Sequence, residues 1–266
     1  MTAALDSTPS AVLDRASLVL DAFDGHAHLT LAEIVRRTGL PRSSAHRILE
    51  RLVALRWLRR TGRDYALGIR LVELGSLAIH QDSLHTVATP YLHELSRMTG
   101  FVAHLAILDD ADVVYLEKIG DRLSQAVPSR VGGRQPAHCT AIGKALLAHS
   151  DSHVTDTRTP LRRKTTRSIG TATALSSELA KVRGSGVAFE REESLPRFGC
   201  VAAPIGDPGS VIAAVSICGP VDKMSFDHRM AAPVRMAALG IWRELSGGSA
   251  VTPTLQQRAR PRRSGR

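Results

Sequence analysis

The sequence predicts an α+β chain in two parts: a small helical part closed by a β-hairpin, and a larger part in which an antiparallel sheet carries helices on its faces. Three observations predict it. Apolar residues early in the chain recur at the 3.6-residue period of amphipathic helices, a turn-bearing strand pair follows them, and from Phe101 onward apolar runs flank polar turns at hairpin spacing. At 266 residues the chain suits two modest domains. Aromatic residues make up only 4%, so both cores must rest on Leu, Val, Ile and Ala.

Val12, Ala16, Val19, Leu20 and Phe23 are spaced as one stripe of a supporting helix. Thr30 then stands at an N-cap with Glu33 three residues on, a capping box, and Gly39 closes this helix one residue before Leu40-Pro41 opens the next. After Pro41, residues Ala45, Ile48, Leu49, Leu52 and Val53 recur at i, i+3, i+4, i+7 and i+8, so one stripe packs inward. Ser43, His46, Arg47, Glu50 and Ala54 face the other way. A corner this tight forces the two helices to cross steeply, the geometry of a helix-turn-helix whose second helix enters the major groove of DNA. Trp57 to Arg60, the turn Thr61-Gly62, and Arg63 to Leu67 complete it with a hairpin wing.

Charge supports this reading. Between Ile34 and Arg63 nine residues are basic, all of them Arg, and Glu50 is the one acidic residue. The guanidinium fork pairs bidentately with phosphate and with the O6/N7 edge of guanine, which a merely solvated helix pair does not require. Arg42 and Ser43 at the helix start are placed to hold phosphates, Ser44 and His46 to hold phosphate or base, Arg47 to read a base, and Arg51 to continue the basic rod; Arg60 and Arg63 are the contacts of the wing. The net charge is +10, of which the first 80 residues supply +3, as 11 basic less 8 acidic, and the tail from Gln256 to Arg266 another +5. Residues 1–10 and the basic tail, 248–266, read as disordered; the tail serves either non-specific DNA affinity or solubility.

In the second part Ile69, Val72, Leu74 and Leu77 mark a linker helix running to about His80, whose apolar side must bury against its own domain or against a twin in a dimer. Tyr91, Leu92, Leu95 and Met98 read as a helix ending at Gly100. Phe101 to Leu108 and Asp112 to Ile119 flank Asp109-Asp110 as a hairpin, and Cys200 to Ile205 and Val211 to Cys218 flank Gly206-Asp207-Pro208-Gly209 as another. Ala141 to His149 and Leu175 to Arg183 read as helices. Residues 151–173, rich in Thr, Ser and Arg, read as the least ordered internal stretch.

The run AEIVRRTGLPRSSAHRILERL, the wing ending in YALGIRLVELG, and the later VGGRQPAHCTAIGKALLA and FGCVAAPIGDPGSVIAAVSICGP resemble the isocitrate lyase regulator (IclR) family of bacterial transcription factors, over roughly residues 11 to 245. The resemblance implies a winged helix-turn-helix at 11–68, a linker helix at 69–82, and a GAF-like effector-binding domain at 83–247. It also implies homodimers or homotetramers on double-stranded operator DNA. It further implies that the backbone of Ala141 and Ile142 and the side chains of Glu190, Cys200, Ser216 and Cys218 surround a small organic acid.

The residues themselves agree with a small carboxylate at that place. Gln135 to Lys144 delivers a loop into a helix, whose first free N–H groups attract anions, and small residues at Thr140, Ala141 and Gly143 let a ligand approach the backbone. Ser216 and Cys218, two apart on one strand, share a face. Where many members of the family have Asp and a second Ser, this chain has Glu190 and Cys218. The pocket should therefore be drier and favour an effector with an apolar or aromatic body.

Two other classes compete. An enzyme would need Cys200 or Cys139 with His138 or His104 as nucleophile and base, or Glu192 and Glu193 as paired carboxylates, yet no nucleophile elbow, Gly-rich phosphate loop or metal-ligand spacing appears. A DNA-binding oligomer without ligand sensing would use its second part only to assemble. Cys139, Cys200 and Cys218 form neither a disulfide framework nor a zinc pattern and are expected as free thiols, and no cofactor or metal is expected. With no long apolar run and no signal-peptide pattern, the expected location is the cytoplasm, and the expected action repression of transcription.

Overall fold

The computed structural model describes residues 12–150 and 161–247. The terminal segments read as disordered, the basic tail among them, and ten residues of the Thr- and Arg-rich stretch lie outside the described residues. The chain divides into two compact units, one up to Ala78 and one from Ile79.

The first unit runs α1 (Val12–Asp21), β1 (Leu29–Thr30), α2 (Leu31–Thr38), α3 (Arg42–Ala54), β2 (Leu58–Thr61), β3 (Asp64–Leu67) and α4 (Ile69–His80). The capping box forms as the sequence predicts. Thr30 Oγ1 accepts from the Glu33 N–H at 3.3 Å, and the Glu33 carboxylate accepts from the Thr30 N–H at 2.8 Å. These hydrogen bonds hold the Glu33 carboxyl below the usual carboxylate range. Gly39 ends α2 at φ 68°, a left-handed conformation that a Cβ would penalise, and its N–H returns to the Val35 carbonyl. Only Gly39, Leu40 and Pro41 separate α2 from α3.

Val19, Phe23, Ile34, Ala45, Leu49 and Leu52 meet in one core, which seats α3 by its apolar stripe. Val12, expected in the stripe of α1, is instead 74% exposed, because it opens the helix one turn beyond the reach of that core. The wing gains a strand the sequence did not signal: β1 pairs with β3, giving the order β1-β3-β2. A two-residue strand is too short to show a period. The hairpin turn also shifts by one residue, to Gly62-Arg63, because Thr61 pairs with Asp64. Helix α4 forms from Ile69 to His80 with none of its residues fully buried, and Ile69, Val72 and Leu77 are exposed.

The second unit runs α5 (Ser83–Thr99), β4 (Val102–Asp109), β5 (Asp112–Ile119), α6 (Leu123–Ala126), β6 (Arg134–Pro136), a single 3₁₀ turn (Ala137–Cys139), α7 (Ala141–Leu147), α8 (Ala172–Ser185), β7 (Ala188–Arg191), β8 (Phe198–Ile205), β9 (Ala213–Pro220) and α9 (His228–Gly247). Its six strands pair antiparallel in the order β6-β5-β4-β9-β8-β7. Both expected hairpins are present, and β9 joins them by also pairing with β4. Side chains alternate between the faces. Leu105, Ala203, Val215 and Ile217 pack with α5 and α9 on one face, while Ala106, Ala202 and Ala214 pack with α7 and α8 on the other.

Helix α5 starts well before Tyr91, capped by Asp82, and passes through Pro90, the residue that hides its first half from a periodicity argument. Met98 of its expected stripe is 62% exposed. Helix α9 and strands β6 and β7 had no clear signal in the sequence. Of the stretch expected to be least ordered, the described part is tied down: Ser168 is buried, accepts from the N–H groups of Lys164 and Thr165, and donates to the Glu193 carbonyl at 2.6 Å. Thr165 and Ser168 are thus hydrogen-bonded into the fold, while Arg162, Arg163 and Arg167 stay exposed.

Leu49 is the fully buried centre of the first core. Leu49→Ala should lower stability by about 2–5 kcal/mol through the cavity it leaves. Urea unfolding followed by Trp57 fluorescence in a Trp242→Phe background measures this, and a loss under about 1 kcal/mol would show that α3 is not anchored there.

Candidate functional site

Packing α3 by Ala45, Leu49 and Leu52 leaves Arg42, Ser43, His46, Arg47, Glu50 and Arg51 exposed along one face, with Ser44 half-buried at its edge. Pro41 gives α3 no side-chain cap, so the first N–H groups of this thirteen-residue helix lack a capping side chain among the described residues. Glu50 organises the face. Its Oε1 pairs with Arg60 of the wing at 3.0 Å and lies 3.8 Å from His46 Nε2, so one carboxylate links helix to hairpin. Arg60 also donates to the Gly62 carbonyl at 3.0 Å and covers the Tyr65 ring. Arg63, at the tip of the turn, is exposed. The sequence shows Glu50 only as the lone acid among arginines. Its bridging position emerges once β2 folds back beside α3.

In the second unit, the sheet face toward α7 bears a row of polar side chains. Glu190, Cys200 and Cys218 stand directly opposite one another on β7, β8 and β9, and Ser216 stands opposite His104 on β4. Above them lies a small cavity of about 30 Å³ lined by His104, Tyr115, Cys200, Ser216 and Cys218, by the segment Val127 to Ser129, by Ser194 and Leu195, and by Thr140 to Ile142. A hollow of about 470 Å³ lies on the opposite face among Ala203, Pro204, Met236 and Trp242. It holds none of the residues the sequence assigns to the site, so chemistry rather than size selects the smaller cavity.

Each wall has a visible support. The Lys118 ammonium donates to the carbonyls of Ser124, Val127 and Ser129 at 2.9, 2.7 and 2.6 Å, strapping that segment over the cavity. Burial pushes the Lys118 pKa down. His104 shares a 2.8 Å hydrogen bond with the Ser129 hydroxyl and leans against Tyr115. Burial, aided by the Lys118 charge, lowers its pKa from 6.5 to about 3, so the imidazole is neutral. Burial likewise raises the Tyr115 hydroxyl, which stays protonated.

Glu190 is fully buried but does not line the cavity. Its Oε1 accepts from the N–H groups of Glu193 and Ser194, which fixes the loop that presents Ser194, and its Oε2 has no hydrogen-bond partner among the described residues. Burial raises its pKa. Behind the same loop the fully buried Lys144 of α7 bonds Glu193 at 2.8 Å and Glu178 at 3.2 Å. The loop and the helix carrying Ala141 and Ile142 are therefore tied by one buried cation.

One expectation about this region changes. Gly143 does not open the backbone to a ligand: a Cβ there would lie 2.2 Å from the Ala137 carbonyl oxygen, so glycine lets the 3₁₀ turn pack on α7. His138 and Cys139 do not form a nucleophile and base. Both point at the Arg162 carbonyl, at 3.1 and 3.8 Å, and burial lowers the imidazole and raises the thiol, the opposite of an ion pair poised for attack. Among the described residues no cluster of His, Cys, Asp and Glu could hold a metal ion.

Ala141, Ile142, Cys200, Ser216 and Cys218 thus meet at one cavity, with Glu190 behind it. Sequence reasoning considered His104 only as a base. A polar residue on an apolar strand, in step with Ala106, was the signal that could have placed it. Ser129, Ser194 and Tyr115 carry no such signal, since loops and a bulge at Leu105/Ala106 decide where they arrive.

The family models "IclR helix-turn-helix domain" and "Bacterial transcriptional regulator IclR C-terminal" match residues 12–62 and 76–243. The regulator KdgR of Dickeya chrysanthemi is 32% identical over 247 residues, covering 89% of this chain and 81% of that protein. The transcriptional repressor IclR of Escherichia coli is 28% identical, covering 77% and 78%. An IclR homolog from Microbacterium hydrocarbonoxydans, solved in complex with 4-hydroxybenzoate, superposes with a TM-score of 0.79 at 30% identity, covering 89% of this chain and all of that one. The fold and site define a DNA-binding transcriptional regulator of the winged helix-turn-helix class. The chain belongs to the IclR family of bacterial transcriptional regulators. No helix among the described residues is long and apolar enough to cross a membrane.

The neutral His104 makes a pH prediction. Between pH 6.5 and about 3 the unfolded chain binds a proton that the folded one refuses, so stability is full above 6.5 and is lost as pH falls through that window. Glu190 and Glu193, whose folded pKa values are raised, act with the opposite sign, so the difference between two proteins isolates His104. Wild type should lose more stability than His104→Gln between pH 7 and pH 4.5 in urea titrations, with a ceiling of roughly 5 kcal/mol for complete passage through the window. Parallel losses would mean that His104 is protonated in the folded protein.

Proposed function

We propose that the chain represses transcription by holding operator DNA with α3 and the wing, and that a small carboxylate in the cavity of the second unit alters this grip. The observation that carries the DNA reading is the exposed face of α3, where Ala45, Leu49 and Leu52 are spent on the core and Arg42, Ser43, His46, Arg47, Glu50 and Arg51 remain outside. Arg47 reads a base edge. Arg42 and Ser43, with the free N–H groups of the helix start, hold phosphate, while Ser44, His46 and Arg51 extend the contact. Arg60 and Arg63 touch the backbone from the wing, and phosphate replaces Glu50 as the partner of Arg60. Residues 11–68 are the DNA-binding domain, 69–82 the linker and 83–247 the effector domain. The exposed Ile69, Val72 and Leu77 pair α4 with its twin in a homodimer, or in a homotetramer built from such pairs. Such a protein works in the cytoplasm and has no catalytic step.

The effector is a weakly polar, aromatic carboxylate. The cavity offers thiols, Val127 and Leu195 to an apolar body, the hydroxyls of Ser129, Ser194 and Ser216 to a polar end, and the first N–H groups of α7 to a carboxylate. None of these side chains is charged. The Microbacterium relative's complex with 4-hydroxybenzoate has that chemistry. At about 30 Å³ the cavity holds roughly one water, so a ligand must lift the segment strapped by Lys118. That displacement is the differential contact through which binding shifts the DNA-binding state.

Anisotropy titrations on a duplex obtained by selection, and on a random duplex, test the DNA surface. Arg47→Ala should cost about 1–3 kcal/mol on the selected duplex and little on the random one; Arg60→Ala should weaken both alike and reduce the salt slope by about one. Equal losses for Arg47→Ala would remove its base-reading role. Calorimetry with 4-hydroxybenzoate tests the cavity: binding should weaken by about 1 kcal/mol in Ser216→Ala. An unchanged affinity would place the ligand elsewhere.

A further inference from the structure

The floor of the cavity holds two thiols in direct opposition, a pairing that gripping a carboxylate does not require. Cys200 on β8 and Cys218 on β9 are register partners on adjacent antiparallel strands, share one face, line the same cavity and belong to one apolar cluster with Val127. Opposed residues in such a ladder have Cα atoms about 4.5 or 5.5 Å apart, and both spacings fall inside the range of roughly 4.4–6.8 Å that a disulfide accepts. We propose that Cys200 and Cys218 are a redox-active dithiol, a modification site at which hydrogen peroxide reversibly closes a disulfide across the cavity floor.

The two sulfurs have different neighbours. Cys218 packs with Val127, whose carbonyl the Lys118 ammonium holds, and is the sulfur assigned to attack first. The Cys218 side chain, burial and Glu190 together push the Cys200 thiol up, which makes it the resolving partner. Cys218 sulfur attacks the peroxide, the O–O bond breaks, Cys218 becomes a sulfenic acid, and the expelled hydroxide leaves as water with the Cys218 proton. Cys200 sulfur then attacks the Cys218 sulfur, the S–O bond breaks, and the hydroxyl leaves as a second water with the Cys200 proton. Two thiols are oxidised and one peroxide is reduced. Cys139 takes no part, being buried in the 3₁₀ turn with its thiol on the Arg162 carbonyl. In a reducing compartment a pair of this kind is transient and sensing rather than structural.

Closing the bridge removes two S–H groups from the cavity and fixes β8 to β9 beneath any ligand. Its effect on effector affinity rests on the reading under Proposed function; the chemistry of the pair does not. The full-length protein, treated with excess hydrogen peroxide, denatured, alkylated and peptide-mapped, should lose two of its three thiols. It should yield a Cys200–Cys218 cross-linked peptide that dithiothreitol reverses. Cys139→Ser should behave as wild type. In Cys200→Ser a sulfenic acid should accumulate on Cys218 and be trapped by dimedone; the wild-type map decides the matter should that variant not fold. Three thiols surviving peroxide, a link through Cys139, or added oxygens on either cysteine without a link would overturn the proposal. Titration of 4-hydroxybenzoate into reduced and oxidised protein reads the coupling, with at least a tenfold weakening expected on oxidation. No binding to the reduced form would sink the effector reading and leave the disulfide map standing.

Discussion

The register of β9 between β4 and β8 is the constraint on which the second unit depends. Because side chains alternate along each strand, that register sends Val215 and Ile217 into the core under α5 and α9 and sends Ser216 and Cys218 to the opposite face. A slip of one residue would bury the serine in the hydrocarbon cluster and turn Ile217 toward the cavity. Every polar group of the floor stands where it does because its strand neighbours are fully committed to the core. His104, two residues from Val102 and Ala106, obeys the same rule on β4.

The cavity is expensive in electrostatic terms, and its cost explains its stiffness. Lys144, Glu190 and His104 are all buried, and each is held by several partners or kept neutral. Their bonds reach two segments without regular structure, the strap from Val127 to Ser129 and the loop from Glu192 to Leu195. Loops of this kind would otherwise be mobile. Thr165 and Ser168 grip the second loop from outside, through the carbonyls of Glu192 and Glu193. The wall of the cavity is thus held by several hydrogen bonds rather than left soft.

The DNA-facing unit solves a different problem, storing cationic side chains without a partner anion. Glu50 neutralises Arg60 and approaches His46 across exposed surface, where ion pairs contribute little stability and exchange readily. Such a pair joins the wing to α3 without locking the two together. Among the described residues no carboxylate pairs with Arg47 or Arg51, and both stay exposed on the helix face.

The sequence by itself determined the first unit almost completely, since its signals are local: the capping box at Thr30 and Glu33, the left-handed Gly39, and a stripe repeating every helical turn. It also determined both hairpins of the second unit, and that Ser216 and Cys218 share a face. Only the tertiary structure decided that β9 bridges the two hairpins, that Glu190 supports a loop instead of lining the cavity, that Gly143 accommodates Ala137, and that Cys200 meets Cys218. The physical reason is range. Caps, turns and periods are set by residues a few positions apart, whereas strand order, loop arrival and the partners of a buried charge are settled by packing between residues distant in the chain, and a single sequence shows no trace of that distance.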